Sequence, residues 1–343
     1  MAPAPEPYAL WLQAFAERPN PLCDAAPLRA LMQQCQRQGL DQLPRPAAGN
    51  TLQRWRVLAE VAGFDLALVK LFEGHTDALA ILAELDASSL AGEGIWAVWA
   101  AEPPQARVTI TERHGNQVRL AGRKAWCSGA RQVDHGLLTA WDEHNRPQLV
   151  ALAMAQPAVE ATADGWQAVG MGPTASVEVI LDGAHAQAVA GPGEYLSRPG
   201  FWHGGGGIAA CWYGAAMTAG HYLREHCAQR PGEPHALAHL GAVDAHLGAA
   251  RAALQHCAEW IDAQPALDAQ VPVQRLRAIT EHSVEQVLRH VGRALGATPF
   301  CRDPRFARLM ADLPVFVRQS HAERDLAGLG QAIAEQPAQR WAL

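Results

Sequence analysis

The feature that most constrains this chain is a hydrophobic period that changes twice along its length. From Tyr8 to about Leu85, apolar side chains recur at three- and four-residue steps: Tyr8, Trp11 and Leu12, then Leu28, Leu31 and Met32, then Trp55, Leu58 and Val61. That spacing gathers them on one stripe of a helix. Pro19 and Pro21 separate the first two groups, and the loop LPRPAAGN (43–50) leaves Asn50 or Thr51 to cap the helix that follows. Between Ile95 and Gly191 the period falls to two, as in Arg107-Val108-Thr109-Ile110 and Val177-Glu178-Val179-Ile180, with turn residues at His114-Gly115-Asn116 and Asp182-Gly183. About six to eight short strands in such a span predict a small antiparallel barrel or sandwich. From Gly205 onward the helical spacing returns in three alanine-rich stretches of about 20–25 residues each. The expected class is α+β: an N-terminal α-helical domain over 1–92, a middle β-domain over 93–195 and a C-terminal α-helical bundle over 196–343.

Composition narrows what such a chain does. Of 343 residues, 49% are hydrophobic and 18% charged, enough apolar surface to exclude a disordered chain. No apolar run approaches the roughly 20 residues of a bilayer span, so no membrane partner is expected. The formal charge of −6 argues against nucleic acid, whose binding requires basic patches. Lysine occurs only at Lys70 and Lys124, so arginine supplies nearly all the cationic surface, in the planar forks that suit carboxylate or phosphate. The seven cysteines, Cys23 among them, include no C-x-x-C pair, and no metal site is expected. The opening residues MAPAPEPYALWLQAF have neither a basic nor an apolar leader segment, and reduced thiols in a cytoplasmic location are the simplest expectation.

Three stretches point to chemistry. GRKAWCSGA (122–130), VGMGPTASVEVILDGAHA (169–186) and RFARLMADLPVF (305–316), in this order within a helix–strand–helix frame, resemble the acyl-CoA dehydrogenase superfamily of flavoproteins over roughly residues 45–330. That resemblance implies an acyl-CoA dehydrogenase-like fold, an FAD cofactor (FMN being possible), a small-molecule or carrier-bound acyl substrate, and a homodimer or homotetramer. It places Trp126 against the isoalloxazine ring and Ser128 near its reactive edge, while the flavin itself carries the electrons. Read without the family, Trp126 is a core tryptophan and Ser128 a turn residue. AAEPP (100–104) stands where the family has Thr-Glu-Pro-Gly-x-Gly-Ser-Asp, so the backbone at Ala101 is a flavin contact while the Gly-Ser-Asp half is missing. Arg230 is a phosphate clamp by the same resemblance, or a helix-end arginine complementing the dipole. GRALGATPF (292–300) adds Gly296 and Arg293 as cofactor contacts. FWHGGGG (201–207) is either a set of backbone N–H groups for an anion at a helix start or a flexible helix entry.

The catalytic position departs most from the family. Asp312 matches the aspartate of its Arg-Asp pair, Ala311 replaces the arginine, and Ser320 falls where the glutamate base belongs. A serine with no activator cannot take a proton from carbon, so His321 and Glu323 are the candidate bases. The flavin monooxygenase branch of the superfamily carries histidines near two of these places, which His75 and His321 echo, with His203 in reserve. Three readings follow. One is α,β-dehydrogenation of an acyl thioester-like substrate with a non-standard base. The second is a monooxygenase using reduced flavin and oxygen, and the third a non-catalytic binding protein on the same scaffold.

Overall fold

The structure is a computed structural model that describes residues 6–16, 26–335 and 341. Pro19, Pro21 and Cys23 lie outside the described residues. The chain folds as two compact units, Met1–Arg45 with Ala67–Phe201, and Pro46–Leu66 with Trp202–Leu343. No helix among the described residues is long and apolar enough to cross a membrane.

The first unit sets helices α1 (Glu6–Ala16), α2 (Ala26–Arg37) and α4 (Leu66–Glu84) with seven strands. These are β1 (Trp96–Trp99), β2 (Val108–His114), β3 (Gln117–Cys127), β4 (His135–Trp141), β5 (Pro147–Ala153), β6 (Val159–Ala161) and β7 (Val177–Val189), followed by the one-turn α5 (Glu194–Ser197). The pairings β4–β2–β3–β7–β5 return from β5 to β4, so the sheet closes on itself, the barrel of the two forms expected, barrel or sandwich. Closure removes the exposed edges that an open sheet would have to protect. One detail differs from an all-antiparallel barrel: β1 pairs with β4 in parallel, and β2 meets β4 in parallel at Thr109 and Trp141. At Gly122 (φ +126°) β3 presses on the Arg107 carbonyl, where any Cβ would overlap it. The α4 stripe of Ala78, Ile81 and Leu82 forms one buried cluster with Trp96, Leu137, Leu149 and Val189.

The second unit contains α3 (Thr51–Phe64), α6 (Gly200–Gln229, its first two residues counted with the first unit), α7 (Pro234–Ala263), α8 (Gln270–Leu295), α9 (Ala297–Arg302), α10 (Pro304–Phe316) and α11 (Glu323–Ala334). Thr51 starts α3, but its cap is remote. The Asp262 carboxylate of α7 accepts from the Thr51 amide at 3.0 Å, the Thr51 hydroxyl at 2.6 Å and the Gly49 amide at 3.1 Å. On α7 and α8, His239 faces His290 and His246 faces His282, so the two helices run in opposite senses.

The glycine run 204–207 is neither a loop nor an anion cradle, since it lies inside α6. Its glycines serve packing: a Cβ on Gly206 would meet the Trp55 ring at 2.5 Å, and one on Gly214 would overlap the Ala59 carbonyl. The small residues let α6 approach α3 closely, which offsets glycine's cost in a helix. The start of α6 already holds an anion from the chain, the Glu84 carboxylate, which accepts from the Gly200 amide at 2.8 Å and pairs with Arg198.

Candidate functional site

In the first unit the site is built on the end of β3. Lys124, the last residue before an irregularity in the β3–β7 register, is fully buried. Its ammonium donates to the Glu102 carboxylate at 2.5 Å, the Thr139 hydroxyl at 2.7 Å and the Thr139 carbonyl at 3.0 Å. Burial pushes the Lys124 ammonium below its ordinary pKa, with Glu102 pulling back only part of the way. For Glu102, burial pushes upward, but bonds from Lys124 and Thr139, the charge of Lys124 and the Trp141 indole together hold the carboxyl below the usual range. This pair ties the segment 100–104, with Ala101 half-buried in it, to the strand that carries Trp126.

Two residues after Lys124 the backbone turns left-handed at Trp126 (φ +55°), an unusual conformation for a bulky residue. The turn points the indole outward, and Trp126 is 52% exposed in a strand whose neighbours Ala125 and Cys127 are buried. Ser128 follows, half-buried, with its carbonyl accepting from the Trp99 indole at 3.0 Å. The Ser128 hydroxyl lies 2.8 Å from that of Ser176, which lies 2.9 Å from that of Thr174, and the Thr174 hydroxyl donates to the Met171 carbonyl at 2.7 Å. Ser176 and Thr174 are buried.

His75 is buried in α4 with both ring nitrogens engaged. Its Nδ1 accepts from the Trp96 amide at 3.1 Å, which leaves the proton on Nε2, 3.1 Å from the Asp41 carboxylate. In that arrangement the ring joins α4 to β1 and has no lone pair to offer as a base.

The second unit carries the other candidates. Ser320 is buried, and its hydroxyl accepts from the Ala322 amide at 3.0 Å. His321, its side chain 58% exposed, sets Nδ1 3.3 Å from the Asp325 carboxylate, whose other oxygen accepts the His321 amide at 3.0 Å. A proton on Nδ1 in that contact leaves Nε2 outward as an acceptor, the arrangement of a carboxylate-oriented histidine base. Glu323 is exposed at the first position of α11. His203 is buried in the first turn of α6. Arg277 of α8 brings the two segments together, donating to the Gly205 carbonyl at 3.0 Å and the Gln319 carbonyl at 3.1 Å while lying over the Trp212 ring. Arg230 and Arg293 are exposed, at the end of α6 and in the last turn of α8, and Gly296 (φ +64°) ends α8. Arg308, one turn earlier, pairs with Asp312 at 3.2 Å, while Ala311 supplies no guanidinium. Among the described residues no group of three or more His, Cys, Asp or Glu side chains stands arranged to hold a metal ion.

Sequence reasoning missed Thr174, Ser176, Arg277 and Arg308. The first two lie within a stretch noted only as a strand motif, and no periodicity marks a hydroxyl chain.

No protein-family model matches the sequence, and no curated protein matches it. Solved structures do match in fold. TdsC of Paenibacillus sp. A11-2, a dibenzothiophene monooxygenase, superposes in its complex with FMN and indole at a TM-score of 0.80 and 17% identity, over 95% of each chain. Methanesulfinate monooxygenase MsuC of Pseudomonas fluorescens gives 0.79 and 18%, over 97% of this chain and 98% of that one. The nitrososynthase of Micromonospora carbonacea var. africana gives 0.79 and 17%, over 97% of each. At these identities the likeness is one of fold: N-terminal helices, a central sheet and a C-terminal helical bundle of acyl-CoA dehydrogenase-like architecture.

Proposed function

We propose that this chain is a flavin-dependent oxidoreductase, and that it works as a monooxygenase on reduced flavin and oxygen in preference to desaturating an acyl thioester. The observation that carries the flavin assignment is Trp126, a large ring held outward by a left-handed backbone beside a half-buried hydroxyl. A tryptophan on a strained turn that leaves 52% of its surface exposed costs stability and returns only part of its packing within the chain, which fits a platform for a flat ligand. The groups gathered here fit a flavin: an indole face, the Ser128 hydroxyl oxygen and the backbone at Ala101, which the Lys124–Glu102 pair ties to the same strand. TdsC is described with FMN, in agreement with this assignment.

The C-terminal segment favours oxygenation. At the position of the family's base stands Ser320, whose hydroxyl already accepts an amide proton, and no carboxylate replaces it there. His321, oriented by Asp325, holds or passes a proton at Nε2. Bound flavin supplies the electrons and, when reduced, the reaction with oxygen. The part of the first unit is to stack the ring with Trp126 and bond its edge with Ser128. Arg230 and Arg293 offer guanidinium groups to a flavin phosphate, and the assembly that goes with this reading is a homodimer or homotetramer.

The test is a titration of the protein with FMN and FAD, oxidised and reduced under anaerobic conditions, followed by tryptophan fluorescence. Trp126→Ala should weaken flavin binding at least about fivefold while leaving the fold intact. A protein that binds flavin equally well without the ring refutes the platform. Bleaching of the bound oxidised flavin by an acyl thioester would restore the dehydrogenase reading.

A further inference from the structure

The hydroxyl chain behind Ser128 has a direction, and the direction bears on which redox form of a flavin it accepts. The inward end fixes it. The Met171 carbonyl has no proton to give, so the Thr174 hydroxyl donates to it at 2.7 Å. A hydroxyl has one proton, so the Thr174 oxygen meets Ser176 only as an acceptor, and Ser176 donates at 2.9 Å. Ser176 has then spent its proton, and its 2.8 Å contact with Ser128 is a bond only if Ser128 donates. Every proton in the sequence Ser128, Ser176, Thr174, Met171 points inward. Ser128 is the half-buried member, beside the exposed Trp126, and what it has left for a ligand is lone pairs.

We infer that Ser128 acts as a hydrogen-bond acceptor toward the ring stacked on Trp126, polarised by Ser176 and Thr174, and that it selects reduced flavin over oxidised flavin. The inference rests on the flavin assignment above. Oxidised isoalloxazine presents N5 as a bare lone pair, which two facing acceptors cannot bond. Reduced isoalloxazine carries N5–H, a donor that matches the serine oxygen. Reversing the polarity forfeits one buried hydrogen bond, that of the Thr174 hydroxyl to the Met171 carbonyl, which would keep only the Thr174 amide at 3.0 Å. Ser176 and Thr174 are positioning residues: they act on the ligand through Ser128.

The test compares the dissociation constants of oxidised and anaerobically reduced FMN for the intact protein, together with the midpoint potential of bound FMN. Wild type should hold the reduced form about tenfold or more tightly than the oxidised form. Such a ratio raises the two-electron potential of bound FMN by about 30 mV. Ser176→Ala releases the Ser128 proton to point outward and should bring the ratio to about one or invert it. Ser128→Ala should abolish the preference. Thr174→Val removes the acceptor of Ser176 and should weaken the preference, while Thr174→Ser, which restores the hydroxyl, should recover it. Circular dichroism of each variant establishes that the β-domain is folded, and the Thr174→Ser rescue separates polarity from damage to the turn. Equal affinity of wild type for both forms, or a ratio that ignores Ser176→Ala, overturns the inference and leaves the flavin assignment standing. No affinity for FMN in either form overturns both.

Discussion

Removing the ammonium of Lys124 is the sharpest test of how the candidate site is held. Lys124→Met keeps the length of the side chain and deletes its charge. Three acceptors then lose their donor: Glu102 at 2.5 Å and the Thr139 hydroxyl and carbonyl at 2.7 and 3.0 Å. Breaking a buried pair by removing one partner typically costs about 3–5 kcal/mol. Glu102 has 30% of its side chain exposed and can rehydrate, which brings the expected loss down to about 2–4 kcal/mol. Replacing both partners, as Lys124→Met with Glu102→Gln, removes the stranded charge and should recover more than half of that loss. The measurement is urea unfolding of the four proteins of the cycle, followed by tryptophan fluorescence and circular dichroism to detect any separate transition of the β-domain. A single variant within about 0.5 kcal/mol of wild type, or a double variant worse than both singles, would refute the argument that this cation pins the segment at Ala101 to the strand of Trp126.

Acid should weaken the α7–α8 pairing through His239 and His290. Their Nδ1 atoms lie 2.8 Å apart, a contact that holds one proton, and burial followed by the nearby His239, His246, Arg289 and Arg293 keeps His290 below its ordinary pKa. The unfolded chain therefore takes the proton first. Stability from this pair is present above about pH 6.5 and falls as pH drops below it, and His290→Asn should flatten that slope in melting curves taken from pH 7 to 5. Asp262→Ala should cost about 1–2 kcal/mol in urea unfolding, because one carboxylate caps α3 for three donors; an unchanged midpoint would mean that water replaces it.

What was legible in the sequence is what repeats. The switch of period near residue 95 marks the closed sheet, since Val108, Ile110, Val118 and Leu120 alternate inward. The three Ala-rich stretches became α6, α7 and α8. The glycines of 204–207 misled because a run of glycine reads as punctuation, and only the position of Trp55 and Leu58 turns it into a packing surface. Trp126 and Ser128 were singled out only through a resemblance, and their surroundings were not. Arg277, Asp262 and the pair Ser176–Thr174 act across distances or through proton direction, and neither leaves a pattern in a single chain. Arg308 shows the same limit in miniature: with Ala311 where the family has arginine, Asp312 pairs with a guanidinium one turn away, where a linear motif does not look.

The placement of α3 carries a cost at synthesis. The chain contributes to the first unit, leaves it for residues Pro46–Leu66, returns at Ala67, and re-enters the second unit only at Trp202. The Gly63 carbonyl accepts from the Thr218 hydroxyl across 155 residues, and the Ala59 backbone that fits against Gly214 waits equally long. At ribosomal rates of about 5–20 residues per second, α3 stands exposed for on the order of ten seconds or more before its packing partner is made. Its buried face includes Trp55, Leu58 and Val61, apolar surface that stays open to other partners until α6 is made. Expression of this protein should therefore depend on holdase capacity in the host more steeply than its finished stability would suggest, and slowing translation between residues 66 and 202 should lower the soluble yield.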